Sequence, residues 1–212
     1  MYVPSHFAES RVDVLHDLIR AHPFGALVVL ASDGIDANHI PFEIDPEPAP
    51  FGTLRGHVAR ANPVWRDFSK QVDALVLFQG AHAYISPSWY PTKTEHGKVV
   101  PTWNYVVVHA HGPLRVIDDR QWLRQFVGKL TDRHESARSD PWKMTDAPTD
   151  FIDAMVAGIV GIEIPIAKLT GKWKVSQNRP EVDRAGVVAG LAHPSSDLAS
   201  SMAQLVGGTK GA

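Results

Sequence analysis

The chain has 212 residues, 44% of them hydrophobic and 21% charged, enough for one substantial core and too apolar for wholesale disorder. It contains no cysteine, which excludes disulfides, thiolate metal ligands and a cysteine nucleophile together. A formal net charge of −2 gives no global attraction to nucleic acid or anionic lipid, so any such binding must come from a local patch. No apolar run approaches the roughly 20 residues of a spanning helix, and the opening Met1-Tyr-Val-Pro-Ser-His-Phe7 lacks the basic and apolar regions of a leader. The expectation is a single cytoplasmic domain over 1–212 with no membrane association.

After Ser10, the spacing of Val12, Leu15, Leu18 and Ile19 predicts an amphipathic helix over 11–21, ended by His22-Pro23. Residues 25–31 read as a buried strand, Ser32-Asp33-Gly34 as a turn and 35–44 as the returning strand of a hairpin. Pro46, Pro48 and Pro50 then impose an extended loop. A strand over 53–59 precedes Asn62, an N-cap with Pro63 in the first helical position of a short helix to Phe68. Residues 74–78 and 82–85 read as paired strands about Gln79-Gly80, and 86–98 as a Pro-rich polar loop. The longest strand signal covers 102–117, with a bulge or bend at Gly112-Pro113.

Asp118 or Asp119 caps a predicted helix to about residue 133 whose apolar face is Trp122, Leu123, Phe126, Val127 and Leu130. A helix over 148–157 is expected to turn Phe151, Ile152 and Met155 inward, and 158–166 returns as a strand. One or two short helices follow residue 180, and the tail over 207–212 is expected to fray. Strands that arrive mostly as hairpins, with helices at ends and edges, argue against a doubly wound sheet. The economical class is α+β, a closed or nearly closed antiparallel barrel with peripheral helices, because closure hides sheet edges.

Three segments concentrate aromatic rings with hydroxyls, amides and cations: Tyr84-Ile-Ser-Pro-Ser-Trp-Tyr-Pro-Thr-Lys93, Val100-Pro-Thr-Trp-Asn-Tyr105 and Lys168-Leu-Thr-Gly-Lys-Trp-Lys-Val-Ser-Gln-Asn-Arg-Pro180. Rings offer stacking faces, hydroxyls and amides read the edge of a heterocycle, and Lys or Arg neutralises a phosphate. The mixture suits a flat aromatic ligand carrying a phosphate. Ser86, Ser88, Tyr90, Thr92 and Lys93 form a dense donor set that two prolines pre-organise, while Glu95-His-Gly-Lys98 reads as a lid or as a plain surface connection. Between Lys168 and Pro180 no acidic residue intervenes, so Lys168, Lys172, Lys174 and Arg179 form the sharpest cationic cluster. If that segment is a strand, Lys172 and Lys174 share the face opposite Trp173. A phosphate grip, a nucleic-acid patch and a solvated basic loop all fit it.

Two further places carry chemistry. Asn38 and His39 point to opposite faces beside Pro41, whose missing amide leaves a gap in the ladder against which a flat ligand could lie. His57 and Arg60 flank the strand-to-helix junction at Asn62-Pro63, a setting that favours anions as well as ordinary surface structure. His109 and His111 share a strand face, but with no His-Glu-x-x-His and no completing carboxylate the histidines do not compose a metal site. Nucleophile-elbow, Walker-type and dinucleotide-binding glycine motifs are absent.

The same segments carry a family resemblance. Met1-Tyr-Val-Pro-Ser-His-Phe7, Gly56-His-Val-Ala-Arg-Ala-Asn-Pro-Val-Trp65, Tyr84-Ile-Ser-Pro-Ser-Trp-Tyr90, Val100-Pro-Thr-Trp-Asn-Tyr105 and Leu169-Thr-Gly-Lys-Trp-Lys-Val-Ser-Gln-Asn-Arg-Pro180 together resemble the PaiB family of FMN-binding negative transcriptional regulators. That resemblance implies an FMN-binding split barrel similar to pyridoxamine phosphate oxidases, a homodimer, and FMN sites at the subunit interface. By this analogy Arg60, Lys93 and Lys174 become candidates for the phosphate, Trp89 and Trp103 for the flavin ring, and Asn104, Ser176 and Gln177 for its polar edges. Asn38, His39, His57, Ser86, Tyr90, Thr102, Lys172 and Arg179 complete the expected set. Repression of transcription needs a DNA-reading element, and no basic recognition helix is visible, so DNA binding is not supported by charge and regulation would be indirect. The competing expectation is a flavin-dependent oxidoreductase acting on a small molecule.

Overall fold

Hairpin chemistry sets the first sheet contacts in the structure, a computed structural model that describes residues 1–192 and 197–209. Strands β1 (Ala8–Glu9), β2 (Phe24–Ala31), β3 (Gly34–Pro41), β4 (Glu43–Asp45), β5 (Thr53–Ala59) and β6 (Ala74–Ile85) occupy the first half, with helix α1 (Val12–Ala21). The short helix α2 (Lys93–His96) precedes β7 (Thr102–Gly112), β8 (Arg115–Ile117), α3 (Arg120–Glu135), α4 (Thr149–Ala157), β9 (Ile159–Pro165) and β10 (Lys168–Lys174). Helices α5 (Glu181–Leu191) and α6 (Asp197–Gly207) end the chain. It divides into two units: Met1–His22, Phe78–His109 and Thr170–Ala212 form one, Pro23–Leu77 and Ala110–Leu169 the other.

In the unit holding Pro23–Leu77, β2 and β3 pair antiparallel from Phe24↔Pro41 to Ala31↔Gly34, leaving Ser32 and Asp33 as a two-residue loop. Gly34 takes φ 134°, a conformation that favours glycine. The expected strand over 35–44 breaks at Phe42, because Pro41 has no amide to continue the ladder and Phe42 N instead donates to Pro23 O at 2.8 Å. Residues Glu43–Asp45 consequently join a second antiparallel sheet of order β4-β5-β9-β8, in which Thr53↔Pro165 through Ala59↔Ile159 pair β5 with β9. Asp119 caps α3 by accepting from Trp122 N at 2.8 Å, and Asn62 caps the turn Pro63–Trp65 by accepting from Val64 N at 2.9 Å.

Helix α4 corrects one expectation. Ile152 and Val156 face the cluster of Leu123, Trp122, Val127, Met144 and Ile159, whereas Phe151 and Met155 are 52% and 53% exposed. The buried stripe runs through positions 152 and 156, which turns 151 and 155 outward.

In the other unit the strand order is β1-β10-β7-β6. The expected turn at Gln79-Gly80 is absent, since β6 runs unbroken from Ala74 to Ile85. Gly80 meets a packing need there: a Cβ would lie 2.8 Å from Val106 Cγ2 on β7. Helix α1 buries Leu15, Leu18 and Ile19 and begins one residue later than expected, and just before it Glu9 accepts the Arg11 amide at 2.9 Å. The α5 and α6 pair buries Val187, Leu191, Met202 and Val206. Of the tail expected to fray, Gly208 N still donates to Gln204 O at 3.0 Å, and residues 210–212 lie outside the described residues. Among the described residues no helix is long and apolar enough to cross a membrane.

Candidate functional site

Strands β7 and β10 bring most of the expected site residues together in the unit that also contains α1, α5 and α6. Lys174 Nζ donates to Trp103 O at 2.8 Å and to Thr102 Oγ1. Asn104, 1% exposed, donates from Nδ2 to Ser176 Oγ at 2.8 Å. Ser176 is itself buried and holds φ 62°, left-handed backbone that a non-glycine residue adopts at a cost. Gln177 secures that turn from both sides, accepting from Val175 N at 2.8 Å and donating to Trp173 O at 2.5 Å. The chain leaving β10 therefore folds back in a turn whose shape its own amides fix.

Three cations lie along this segment without an acidic partner among the described residues. Lys172, 8% exposed, donates to Tyr2 O at 3.2 Å and lies over the rings of Tyr105 at 5.2 Å and Tyr2 at 5.8 Å. Arg179 stacks its guanidinium over Tyr90 at 4.9 Å. Burial pushes the Lys174 ammonium below its ordinary pKa, with Tyr105 opposing and Lys172 and Arg179 adding like-charge repulsion. Among the described residues, none of the three makes an ion pair. Burial of an ammonium is costly unless an opposite charge compensates it, and among the described residues these cations meet carbonyls, a hydroxyl and ring faces rather than a carboxylate.

Aromatic rings extend the same sheet face. Trp103, 53% exposed, lies 5.8 Å from the His82 ring and 6.2 Å from Tyr84, which is itself 48% exposed. The alternation of β10 separates the two chemistries as expected: Trp173 lines a groove of about 420 Å³ with Val14, Leu18, Ala81, Val106 and Leu205 on the other face. The surface carrying Trp103, Tyr105, Lys172 and Lys174 is thus a stacking platform beside an anion-attracting edge.

The loop 86–98 is more ordered than its composition suggests. Ser86 caps Pro87–Trp89 by accepting from Ser88 N at 3.2 Å, and the hydroxyls of Ser86 and Ser88 sit 2.6 Å apart. Trp89 is half-buried, and its indole lies against Gly190 of α5, where a Cβ would come within 2.3 Å. Tyr90 is 2% exposed; burial raises its phenol pKa, and the nearby Arg179 charge opposes that rise. Thr92 is fastened to Asp183, which accepts from Thr92 N at 3.2 Å and from Thr92 Oγ1 at 3.0 and 2.8 Å. Lys93 is exposed.

The remaining expected residues belong to the other unit and serve its internal order. Asn38 accepts from Asn62 Nδ2 at 2.7 Å and donates to Asp36 at 2.8 Å, while the His39 ring lies 5.8 Å from Phe24. His57 packs edge-on to Phe126 at 6.0 Å with a buried Nδ1 that has no partner, and burial lowers its pKa. Arg60 was expected at a phosphate. Its guanidinium is instead committed to Ala157 O at 2.8 Å, Ile159 O at 3.0 Å and both carboxylate oxygens of Asp118 at 2.9 and 2.5 Å.

Sequence reasoning missed Tyr2, His82, Tyr105 and the Asp183, Gly186 and Gly190 face of α5. The helical spacing of that last trio was a usable signal, but its partners lie about ninety positions away.

Comparison with known proteins identifies the family. Residues 1–168 match the family described as "Putative FMN-binding domain". The chain is 34% identical to protein AN0679 of Emericella nidulans and 31% identical to protease synthase and sporulation protein PAI 2 of Bacillus subtilis, in each case over 97% of this chain and 96% of the relative. The solved FAD and heme binding protein from Mycobacterium smegmatis matches with a TM-score of 0.57 at 16% identity, covering 79% of this chain and 73% of that one. The fold is α+β, an antiparallel split barrel with helices. With nearly its whole length aligned to the Bacillus relative and four-fifths matched by the family, the chain belongs to the PaiB-like FMN-binding domain family.

Proposed function

We propose that this protein binds a flavin, FMN, on the β7 and β10 face, and that it acts as a PaiB-like negative regulator of transcription through the flavin. The carrying observation is the trio Lys172, Lys174 and Arg179, cations without a carboxylate partner among the described residues, of which Lys174 is hydrogen-bonded to the backbone of Trp103, whose ring is exposed. A flavin phosphate supplies the charge that the trio lacks, and the isoalloxazine suits the Trp103, Tyr84 and His82 surface. Asn104, Ser176 and Gln177 shape the turn that presents Lys174 and Arg179, and the hydroxyls of Thr102, Ser86 and Ser88 with Lys93 provide further polar contacts. When bound, the flavin supplies redox chemistry, which the protein tunes by position and hydrogen bonding.

An open aromatic face is suited to completion by a second copy, which supports a homodimer with flavin at the subunit interface. Residues 1–212 act as one functional domain, in the cytoplasm. Three local cations on a chain of net charge −2 do not make a DNA-binding surface, so regulation is indirect and the protein works as a flavin-dependent sensor.

Titration of the purified protein with FMN, followed by flavin fluorescence and gel-filtration retention, tests this reading. A saturable change in a dimer is expected, and none at micromolar FMN in a folded dimer would refute it. Turnover with NADH or NADPH and an electron acceptor would replace the sensor by an oxidoreductase, and salt-sensitive, sequence-selective DNA retardation would replace indirect by direct repression.

A further inference from the structure

Helix α5 lies beyond residue 168, where the family match ends, yet three of its residues hold the loop 86–94. Asp183, Gly186 and Gly190 fall at i, i+3 and i+7, along one helix face. Asp183 is 1% exposed, and its carboxylate accepts from Thr92 N and from the one Thr92 hydroxyl, which lies within reach of both carboxylate oxygens. At Gly186 a Cβ would sit 2.0 Å from Trp89 O, and at Gly190 it would sit 2.3 to 2.5 Å from the Trp89 ring. Only hydrogen at those two positions allows the helix to approach this closely. Tyr90, between Trp89 and Thr92, carries Arg179 on its face, and the charges of Arg179 and Asp183 both act on its phenol.

We infer that Asp183, Gly186 and Gly190 are positioning residues: docking of α5 fixes the loop 86–94 and, through Tyr90, the guanidinium of Arg179 at the anion-binding edge. The consequence for Arg179 rests on the flavin-phosphate reading above, whereas the consequence for the loop does not. A buried carboxylate that, among the described residues, accepts its side-chain hydrogen bonds from one threonine works as a latch, since losing Thr92 strands a charge and losing Asp183 frees the loop. The two glycines make the latch specific for an aromatic ring with its backbone pressed flat on the helix.

Amide hydrogen exchange of residues 88–94 in the ligand-free full chain tests the latch, with Asp183→Asn, Thr92→Val, Thr92→Ser and Gly190→Ala compared with the parent. Exchange should rise about tenfold in Asp183→Asn, Thr92→Val and Gly190→Ala, while Thr92→Ser, which keeps the hydroxyl, stays close to the parent. The double variant Trp89→Leu with Gly190→Ala, which removes the clashing ring, should exchange no faster than Trp89→Leu alone. Unchanged exchange in folded Asp183→Asn and Gly190→Ala would overturn the positioning role. Loosening the latch should also lower affinity for FMN at least several-fold more than for riboflavin. An equal loss for both would overturn the link to Arg179. Failure of the parent itself to bind FMN would defeat the flavin reading and leave the exchange result to decide the latch.

Discussion

Replacing Lys174 by alanine removes the ammonium that bridges Thr102 Oγ1 and Trp103 O at the end of β10. A charge-assisted hydrogen bond to phosphate contributes about 1.5–3 kcal/mol, or roughly 10- to 150-fold in affinity. Two features of the structure place the expected loss near the lower bound. Lys172 and Arg179 repel Lys174, so its removal relieves part of the unfavourable potential, and both remaining cations can still meet the ligand. FMN should therefore bind about tenfold more weakly to Lys174→Ala, while riboflavin, which has no phosphate, changes by less than about twofold. Burial already lowers the Lys174 pKa from 10.5, and a bound phosphate favours the charged ammonium. The preference for FMN over riboflavin should thus fall on the alkaline side at a lower pH than an ordinary lysine would give. Parallel titrations of both flavins against parent and variant, by fluorescence quenching over a pH series, provide the measurement. Equal weakening of FMN and riboflavin would remove Lys174 from the phosphate and refute the reasoning.

Other consequences are equally direct. His57 has its pKa lowered from 6.5 by burial, so below 6.5 the unfolded chain takes up a proton that the folded one resists; stability falls as pH falls through that window, and His57→Leu should flatten the slope of the urea midpoint against pH. Gly52 holds φ 79° with Asp45 O 2.1 Å from where a Cβ would sit, so Gly52→Ala should cost at least about 1–2 kcal/mol in urea unfolding, and a neutral result would contradict the backbone assignment. Arg60→Met should lower the melting temperature through loss of the Ala157, Ile159 and Asp118 contacts while leaving the FMN-to-riboflavin affinity ratio unchanged; a selective loss of FMN would return Arg60 to the phosphate.

What could be read from the sequence was local. The Ser32-Asp33 loop, the caps at Asn62 and Asp119 and the alternation of Lys172, Trp173 and Lys174 follow from turn chemistry and strand period, and the structure carries them all. Errors arose where a local signal has two physical meanings. Glycine at position 80 signals either a turn or a close approach, and only the presence of Val106 decides. Arginine at position 60 near a helix start suits an anion, but two carbonyls and a carboxylate from distant parts of the chain occupy it. The aromatic at position 89 reads as a ligand platform, and its own segment carries no sign that a glycine of α5 lies against its ring. The cation trio was legible because its cause is itself local, a run of sequence without any acid.

The most direct measurement of the central claim is the crystal structure of the protein grown with saturating FMN. The account predicts phosphate oxygens within about 3.2 Å of a nitrogen of at least one of Lys172, Lys174 and Arg179, with the isoalloxazine against the Trp103 face. A flavin phosphate bound away from all three cations would contradict it.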